Sequence, residues 1–409
     1  MRGQVTEATI SLENEPEQDA TWDGMICFAN DWYADPLSKK HLMLRFARNR
    51  KILWVNSVNN RRPQMASKDF RRVFEKLAGF RKGLSQVEEG IWVLTPLYIP
   101  FHGNSVIREL NRQLLGAQIR RALKQLQIRH AVTYTFAPTS ADVVGTLGED
   151  SIVYHCVDEF SAFSDAGAEV AQRERELLGK ADVVLCSAAG LYDNKKAHNP
   201  HTYLVTHGVD YEFFRKATSA DTPVADELRA LPKPILGFTG LLADWVDLPL
   251  LAELAKRRPE WSIVLIGRSD VDLKIFDGLS NVHLLGHRPY NQLPEFLRGF
   301  DVALLPFVNN ELTVNANPLK LREYLAAGLP VIASPIPEVV RYASQVALAS
   351  TAEEYEKAID ALLKKDDLGP SLARSAKMAS ESWDAKVIEI EGILRKTNAP
   401  AAQLEMERI

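Results

Sequence analysis

Between residues 25 and 205 the chain carries six apolar runs of strand length, at 25–30, 51–57, 91–95, 131–136, 151–157 and 182–187, and a shorter one at 202–205. Near-continuous apolar runs of this kind suit strands buried on both faces, as in a parallel sheet. Helix-spaced segments fall between them, near 38–48, 104–127 and 167–180. A polar stretch at 215–226 reads as a linker, after which the pattern restarts at 234–239, 262–267, 282–285, 302–306, 329–334 and 346–349. Strands alternating with helices predict an α/β protein with two tandem doubly wound parallel sheets. The expected division is a polar, acidic tail at 1–22, a first domain at 23–214 and a second at 227–375. Ligands bind such sheets outside the carboxyl ends of the strands, which directs attention to the residues that follow each run.

Length and composition agree with this plan. A chain of 409 residues, 46% apolar and 25% charged, can bury two cores of ordinary size. No uncharged apolar run of about 18 residues occurs and residues 1–23 hold no signal-peptide core, so a cytoplasmic protein is expected. Cys27, Cys156 and Cys186 each fall within an apolar run and lack metal-ligand spacing, reading as reduced core thiols. Charge changes the picture more. From Ser38 to His130 there are twenty Lys/Arg against five acidic residues, although the whole chain carries a net −4. A basic first half points to an anionic partner: a membrane surface, a lipid diphosphate or a nucleic acid. Within it Phe70, Val73, Phe74, Leu77, Phe80 and Leu84 recur at helical spacing among Lys and Arg, which fits a helix lying in a bilayer interface and equally one packed on its own domain.

The most informative stretch is 317–334. Asn317 is placed to cap a helix, Pro318 suits its first turn, and Gly328 supplies a left-handed end before the apolar run, which predicts a helix over 318–327. Lys320 lies in the first turn, where free N–H groups and the helix dipole already favour a phosphate. Glu323 stands one turn further on the same face, able to accept two hydrogen bonds from a ribose diol. The same two residues also read as an ordinary surface pair three residues apart.

The whole segment resembles the donor-nucleotide signature of GT-B glycosyltransferases, the P-x-K-x-x-E-Y-x-A-x-G-x-P-V pattern of family 4 and of xanthan-type glucuronosyltransferases. The resemblance implies two Rossmann-like domains flanking a cleft, with the last helix, 376–396 and led by Trp383, returning to the first domain. It implies that Lys320 contacts the donor diphosphate and Glu323 the ribose, with Asn317, Pro318 and Leu319 in the same loop. The donor would be a nucleotide sugar, UDP- or GDP-linked, and the acceptor a saccharide or a lipid-linked molecule in cell-surface polysaccharide assembly. No metal, cofactor or nucleic-acid partner is expected, and a peripheral place on an anionic membrane surface fits the basic half. One departure stands out: many retaining members carry a second Glu eight positions before the ribose-binding one, and here that position is Asn315. An inverting enzyme, or a non-catalytic nucleotide-sugar or polysaccharide binder with a degenerate site, are the two readings this leaves.

Further candidates follow the other runs. The loop 237–245 ends in Gly240-Leu241-Leu242-Ala243-Asp244-Trp245, lacks the G-x-G-x-x-G fingerprint of dinucleotide folds, and is similar to a cleft loop of teichuronic-acid-type enzymes. Its glycines admit a phosphate close to the backbone, and Trp245 joins Gly240 as a donor-side candidate. Arg268 follows the run 262–267 and offers a guanidinium for phosphate; it also reads as a plain exposed Arg. Arg288 lies in the 287–290 loop, which in the family holds the base, and which also reads as a simple β-to-α turn. For the chemical step an inverting enzyme needs a base on the acceptor side of the cleft. Asp158, closing the run 151–157 and similar in place to the xanthan-type catalytic Asp, is the first candidate; a helix cap or loop carboxylate is the alternative. Asp31, after the first run, is the second.

Overall fold

A computed structural model describes residues 22–34, 36–56, 83–97, 105–162 and 168–398. The first sheet contains β1 (Gly24–Ala29), β2 (Lys51–Asn56), β3 (Leu84–Glu88), β4 (Ile91–Leu94), β5 (Ala131–Thr135), β6 (Ser151–Cys156), β7 (Val183–Cys186) and β8 (Thr202–Leu204). Its order is β3-β4-β2-β1-β5-β6-β7-β8, parallel throughout except for β3, which runs antiparallel to β4. The second sheet, entirely parallel, has the order β11-β10-β9-β12-β13-β14, built from β9 (Ile235–Thr239), β10 (Ser262–Ile266), β11 (Val282–Gly286), β12 (Val302–Leu305), β13 (Val331–Ala333) and β14 (Ala347–Leu348). Most strands lie in predominantly apolar stretches, and β1, β5, β9 and β10 are buried at every position, the Thr residues of β5 included.

The helices that position the cleft are α1 (Ser38–Phe46), α2 (Ser105–Leu126), α3 (Ala168–Lys180), α4 (Ala189–Lys195), α5 (Leu248–Arg257), α6 (Leu319–Ala326) and α7 (Trp383–Asn398). Strand order reverses between β1 and β5 in one sheet and between β9 and β12 in the other. A doubly wound sheet opens its ligand crevice at such a reversal, so the loops after β1, β5, β9 and β12 form the natural walls of a site.

The chain crosses from the first sheet to the second at residues 207–210, and α7 crosses back beside it. Val209 N–H donates to Glu381 O at 2.8 Å and Trp383 N–H to Val209 O at 3.2 Å. The polar stretch 215–226 conceals buried residues: Ala217 and Ala225 pack with Phe214, Leu228 and Ile235 in the second domain's core. Trp383, Ile390 and Leu394 of α7 belong instead to the core of the first domain. Ion pairs reinforce that docking, Arg45–Asp384 at 2.9 Å and Arg50–Glu391 at 2.6 Å. Trp383 is 2% exposed, so truncating it to Ala should cost about 3–5 kcal/mol.

Strand β3 has no counterpart in the apolar pattern. It lies on the edge, is only half-buried, and its five residues give little alternation. Leu84, counted above in an apolar helical stripe, opens this strand; the rest of that stripe, Phe70 to Phe80, lies outside the described residues. The three cysteines are buried in β1, β6 and β7 as free thiols. Among the described residues no helix is long and apolar enough to cross a membrane.

Candidate active site

The donor-side wall is built on α6. The helix begins at Leu319, one residue later than expected, with Pro318 as N-cap at φ −66° and ψ 115°. Asn317 makes no cap. Its side-chain amide donates to Ser187 O of the first domain at 2.6 Å and to Glu338 Oε2 at 3.2 Å. The oxygen that a cap would use accepts instead from the Arg322 guanidinium, and the amide nitrogen reaches across the cleft. Leu319 likewise packs against the first domain's core. Gly328 closes the helix at φ +72°, with Ser371 O occupying the place a Cβ would take.

Lys320 Nζ and Glu323 Oε2 are 2.7 Å apart, an ion pair between side chains that retain 27% and 11% of their exposure. Both therefore sit on one face of α6, about one turn apart. Tyr324 fixes the helix to the end of β9: its hydroxyl accepts from Thr239 N–H at 2.7 Å and donates to Thr239 O at 3.2 Å. The next residue, Gly240, meets the Lys320 side chain, whose Cε is 3.8 Å from where its Cβ would be. Gly267 must also lack a side chain, because a Cβ there would overlap Gly240 O. The structure thus brings Gly240, Lys320 and Glu323 together, each placed by strand ends rather than by free loops.

The remaining donor-side candidates divide. Trp245 is half-buried, and its carbonyl accepts from Val308 N–H at 3.0 Å, tying the loop after β9 to the loop after β12. Asp247, in the same loop, caps α5 by accepting from Leu250 N–H at 2.9 Å. Arg268 is exposed, and its carbonyl holds Leu242 N–H at 2.9 Å. Arg288 is committed elsewhere: its guanidinium donates to Leu285 O at 2.6 Å and to Glu227 Oε1 at 3.1 Å. That contact rigidifies the turn after β11. Tyr290, in the same turn, stacks on Phe213 with ring centres 4.6 Å apart. Burial, with Glu323 and Asp210 nearby, pushes its hydroxyl pKa up.

On the acceptor side, Asp158 lies just beyond β6, where burial raises its pKa from 3.8 to about 6 and the Lys39 ammonium partly offsets the rise. Lys39 stands in the first turn of α1 with Nζ 5.7 Å from the Phe136 ring centre. Its own pKa is lowered by burial against the pull of Asp158. His155 shares the Phe136 ring, stacked at 5.2 Å, and its Nδ1 lies 2.8 Å from the Tyr134 hydroxyl. Burial holds that imidazole neutral, at about 3, and among the described residues Nε2 has no hydrogen-bond partner. The neighbouring His207, neutral for the same reason, feels both Arg322 of α6 and Lys39 of α1, so the two walls face one another across it. Asp31 is exposed, its Oδ1 accepting from Tyr33 N–H at 3.2 Å as a turn former.

Several of these groups escape sequence reasoning. Arg322 is 1% exposed on the inner face of α6, where only a charge inside an apolar spacing hints at it. Lys39 is one of many basic residues in its segment, and its burial depends on β5 and β6. Glu338 carries no local signal at all. Among the described residues no group of three or more His, Cys, Asp or Glu could hold a metal.

Two parallel-sheet domains whose facing edges carry these groups define the GT-B class of folds. Sucrose-phosphate synthase from Thermosynechococcus elongatus matches with a TM-score of 0.67 and 14% identity, over 91% of this chain and 98% of that one. Anabaena HepE, solved with UDP-glucose, matches with a TM-score of 0.63 and 13% identity, over 91% and 99%. At such identities the likeness is one of fold. Residues 233–365, within the second domain, match the family model for glycosyl transferases group 1. The Bacillus subtilis glycosyltransferase TuaH, named for teichuronic acid biosynthesis, is 27% identical over 205 residues, 46% of this chain. The match spans about half of that relative, 51% of its length.

Proposed function

We propose that the protein is a glycosyltransferase that moves a sugar from a nucleotide donor to a saccharide or lipid-linked acceptor in cell-surface polysaccharide assembly. The observation that carries this reading is the seat of Lys320 and Glu323 on one face of the first two turns of α6, with Lys320 beside Gly240, inside the family-matched domain. Lys320 and the free N–H groups of the turn take the diphosphate, and Glu323 accepts from the ribose hydroxyls. A UDP- or GDP-linked sugar is the expected donor, a choice supported by HepE, whose structures hold UDP, UDP with glucose, and UDP-glucose.

In the chemical step the acceptor oxygen attacks the anomeric carbon as the bond to the diphosphate breaks. The acceptor proton passes to Asp158, and the departing diphosphate keeps the electron pair beside Lys320. With Asn315 where a retaining enzyme carries Glu, the product has inverted configuration, which proton NMR of its anomeric centre reads directly. A product with the donor's configuration would reject this mechanism. The second reading, a non-catalytic binder, draws on the same Asn315, whose amide donates to Glu311 O at 2.9 Å. Donor hydrolysis in the absence of acceptor separates the two, since only an enzyme cleaves the donor.

Thermal shifts across UDP, GDP, ADP and TDP identify the base, because a ligand at 100 times its Kd adds about 2.7 kcal/mol of apparent stability. No shift with any of them would reject the donor site. The basic first half supports a seat at the cytoplasmic face of an anionic membrane, where each Lys or Arg near the surface contributes about 1 kcal/mol. Sedimentation with anionic vesicles should fall as salt rises; equal binding to neutral vesicles would contradict an electrostatic dock.

A further inference from the structure

We propose that the first domain positions the donor helix through a polar contact across the cleft, made by Gly190, Asn315, Asn317 and Glu338, so that packing at Gly190 in the first domain sets part of the donor's affinity. The inference rests on the reading of α6 as the donor site. Three buried side chains, of Asn315, Asn317 and Glu338, meet the half-buried Gly190 where β7 passes into α4. Glu338, 1% exposed, accepts from Ala189 N–H of the first domain at 2.8 Å through Oε1 and from Asn317 at 3.2 Å through Oε2. Asn317, 5% exposed, reaches Ser187 O at 2.6 Å with the same amide nitrogen, while its Oδ1 accepts from the Arg322 guanidinium.

Buried polar groups tolerate separation from their partners poorly. If the domains drew apart here, Glu338 would lose the Ala189 N–H and Asn317 the Ser187 carbonyl. The consequence falls on α6. Asn317 stands directly before the Pro318 N-cap and holds Arg322, so its anchor fixes the helix turn that bears Lys320 and Glu323. Gly190, the second residue of α4, lies against this contact: a Cβ on it would overlap Asn315 Oδ1, and Val314 O is 3.7 Å from the same point. Asn315 is itself held by Glu311, and it precedes Asn317 by two residues. A side chain at Gly190 therefore displaces the Asn315 amide, two residues before the Asn317 anchor of the donor helix. By linkage, a donor that needs α6 in this position must in turn favour the closed contact.

The test uses the full chain and measures UDP and GDP binding by calorimetry for the parent, Gly190→Ala, Gly190→Leu, the double variant Gly190→Ala/Asn315→Ala, and Lys320→Ala. We expect the Kd of the nucleotide that binds to rise at least fivefold in Gly190→Leu and by a smaller factor in Gly190→Ala. The double variant should return towards the parent, since removing Oδ1 empties the space the new methyl needs. Melting temperatures within a few degrees of the parent show that the fold is kept; Gly190→Ala carries the test if the larger variant fails to fold. A wedge that only strained the interface would lower the melting temperature without moving Kd. Kd values within twofold of the parent for the folded Gly190 variants, alongside lost binding in Lys320→Ala, would overturn the inference and leave the donor site standing. Unchanged binding in Lys320→Ala would remove the donor-site reading and the inference with it.

Discussion

The two walls of the cleft manage their charges in opposite ways. On the second domain Lys320 and Glu323 neutralise each other at 2.7 Å. On the first domain Lys39 and Asp158 influence each other's ionisation but form no ion pair or hydrogen bond among the described residues, and His155 Nε2 nearby has no partner among them. A binding site can be stored with its charges paired, because the ligand exchanges one partner for another. A proton acceptor needs an unsettled environment that raises its pKa towards neutrality. Under the proposed function, the contrast fits recognition at α6 and acid–base chemistry at the end of β6.

The sharpest way to break this contrast is to neutralise Asp158. Asp158→Asn keeps size and shape, and turnover should fall at least about a hundredfold while nucleotide affinity stays within twofold of the parent. Equal losses in both would make Asp158 part of the binding wall. A smaller effect is expected at Glu323. Glu323→Ala should weaken nucleoside diphosphate binding about tenfold, the size of one charge-assisted hydrogen bond, yet strengthen binding of inorganic pyrophosphate, since Lys320 is released from its pair. Competition by pyrophosphate against a fluorescent nucleotide reads both. Weaker pyrophosphate binding would mean that the pair is not what restrains Lys320.

The smallest effect concerns stability. The Asp158 carboxyl holds its proton up to about pH 6 in the folded chain, against an ordinary value of 3.8 once unfolding returns it to water. Between those values the folded chain binds more protons than the unfolded one, so this group's contribution to stability falls as pH rises. Asn carries no such burden. Asp158→Asn should therefore melt at or above the parent temperature near pH 7, and the difference should shrink towards pH 4. A variant that melts below the parent near pH 7 would show that the carboxylate is well solvated or paired, contrary to the raised pKa.

What depends on local pattern is legible in the sequence. The strands of both sheets can be read because uninterrupted apolar runs leave no other place to lie, and α6 because Pro318 and Gly328 bracket it. Short edge strand β3 cannot, since half-exposed residues in an antiparallel pair carry weak alternation. Asn317 shows the limit most clearly. Its type and position fit a cap, but its Oδ1 accepts from the buried Arg322 guanidinium while its amide nitrogen donates to Ser187 O, 130 residues away. Arg288 follows a strand as a donor-facing residue would, and its guanidinium instead braces its own turn against Glu227, 61 residues upstream. Lys39 and Arg322 acquire their character from burial beneath elements distant in sequence, which no spacing records.

Calorimetric titration of the best-binding nucleoside diphosphate into the parent chain and into Lys320→Ala tests the central claim most directly. Saturable one-site binding by the parent is expected, weakened by about 1.5–3 kcal/mol in a variant of unchanged melting temperature, the range for a hydrogen bond to a charged group. Equal affinity in the two chains would contradict a donor site on α6.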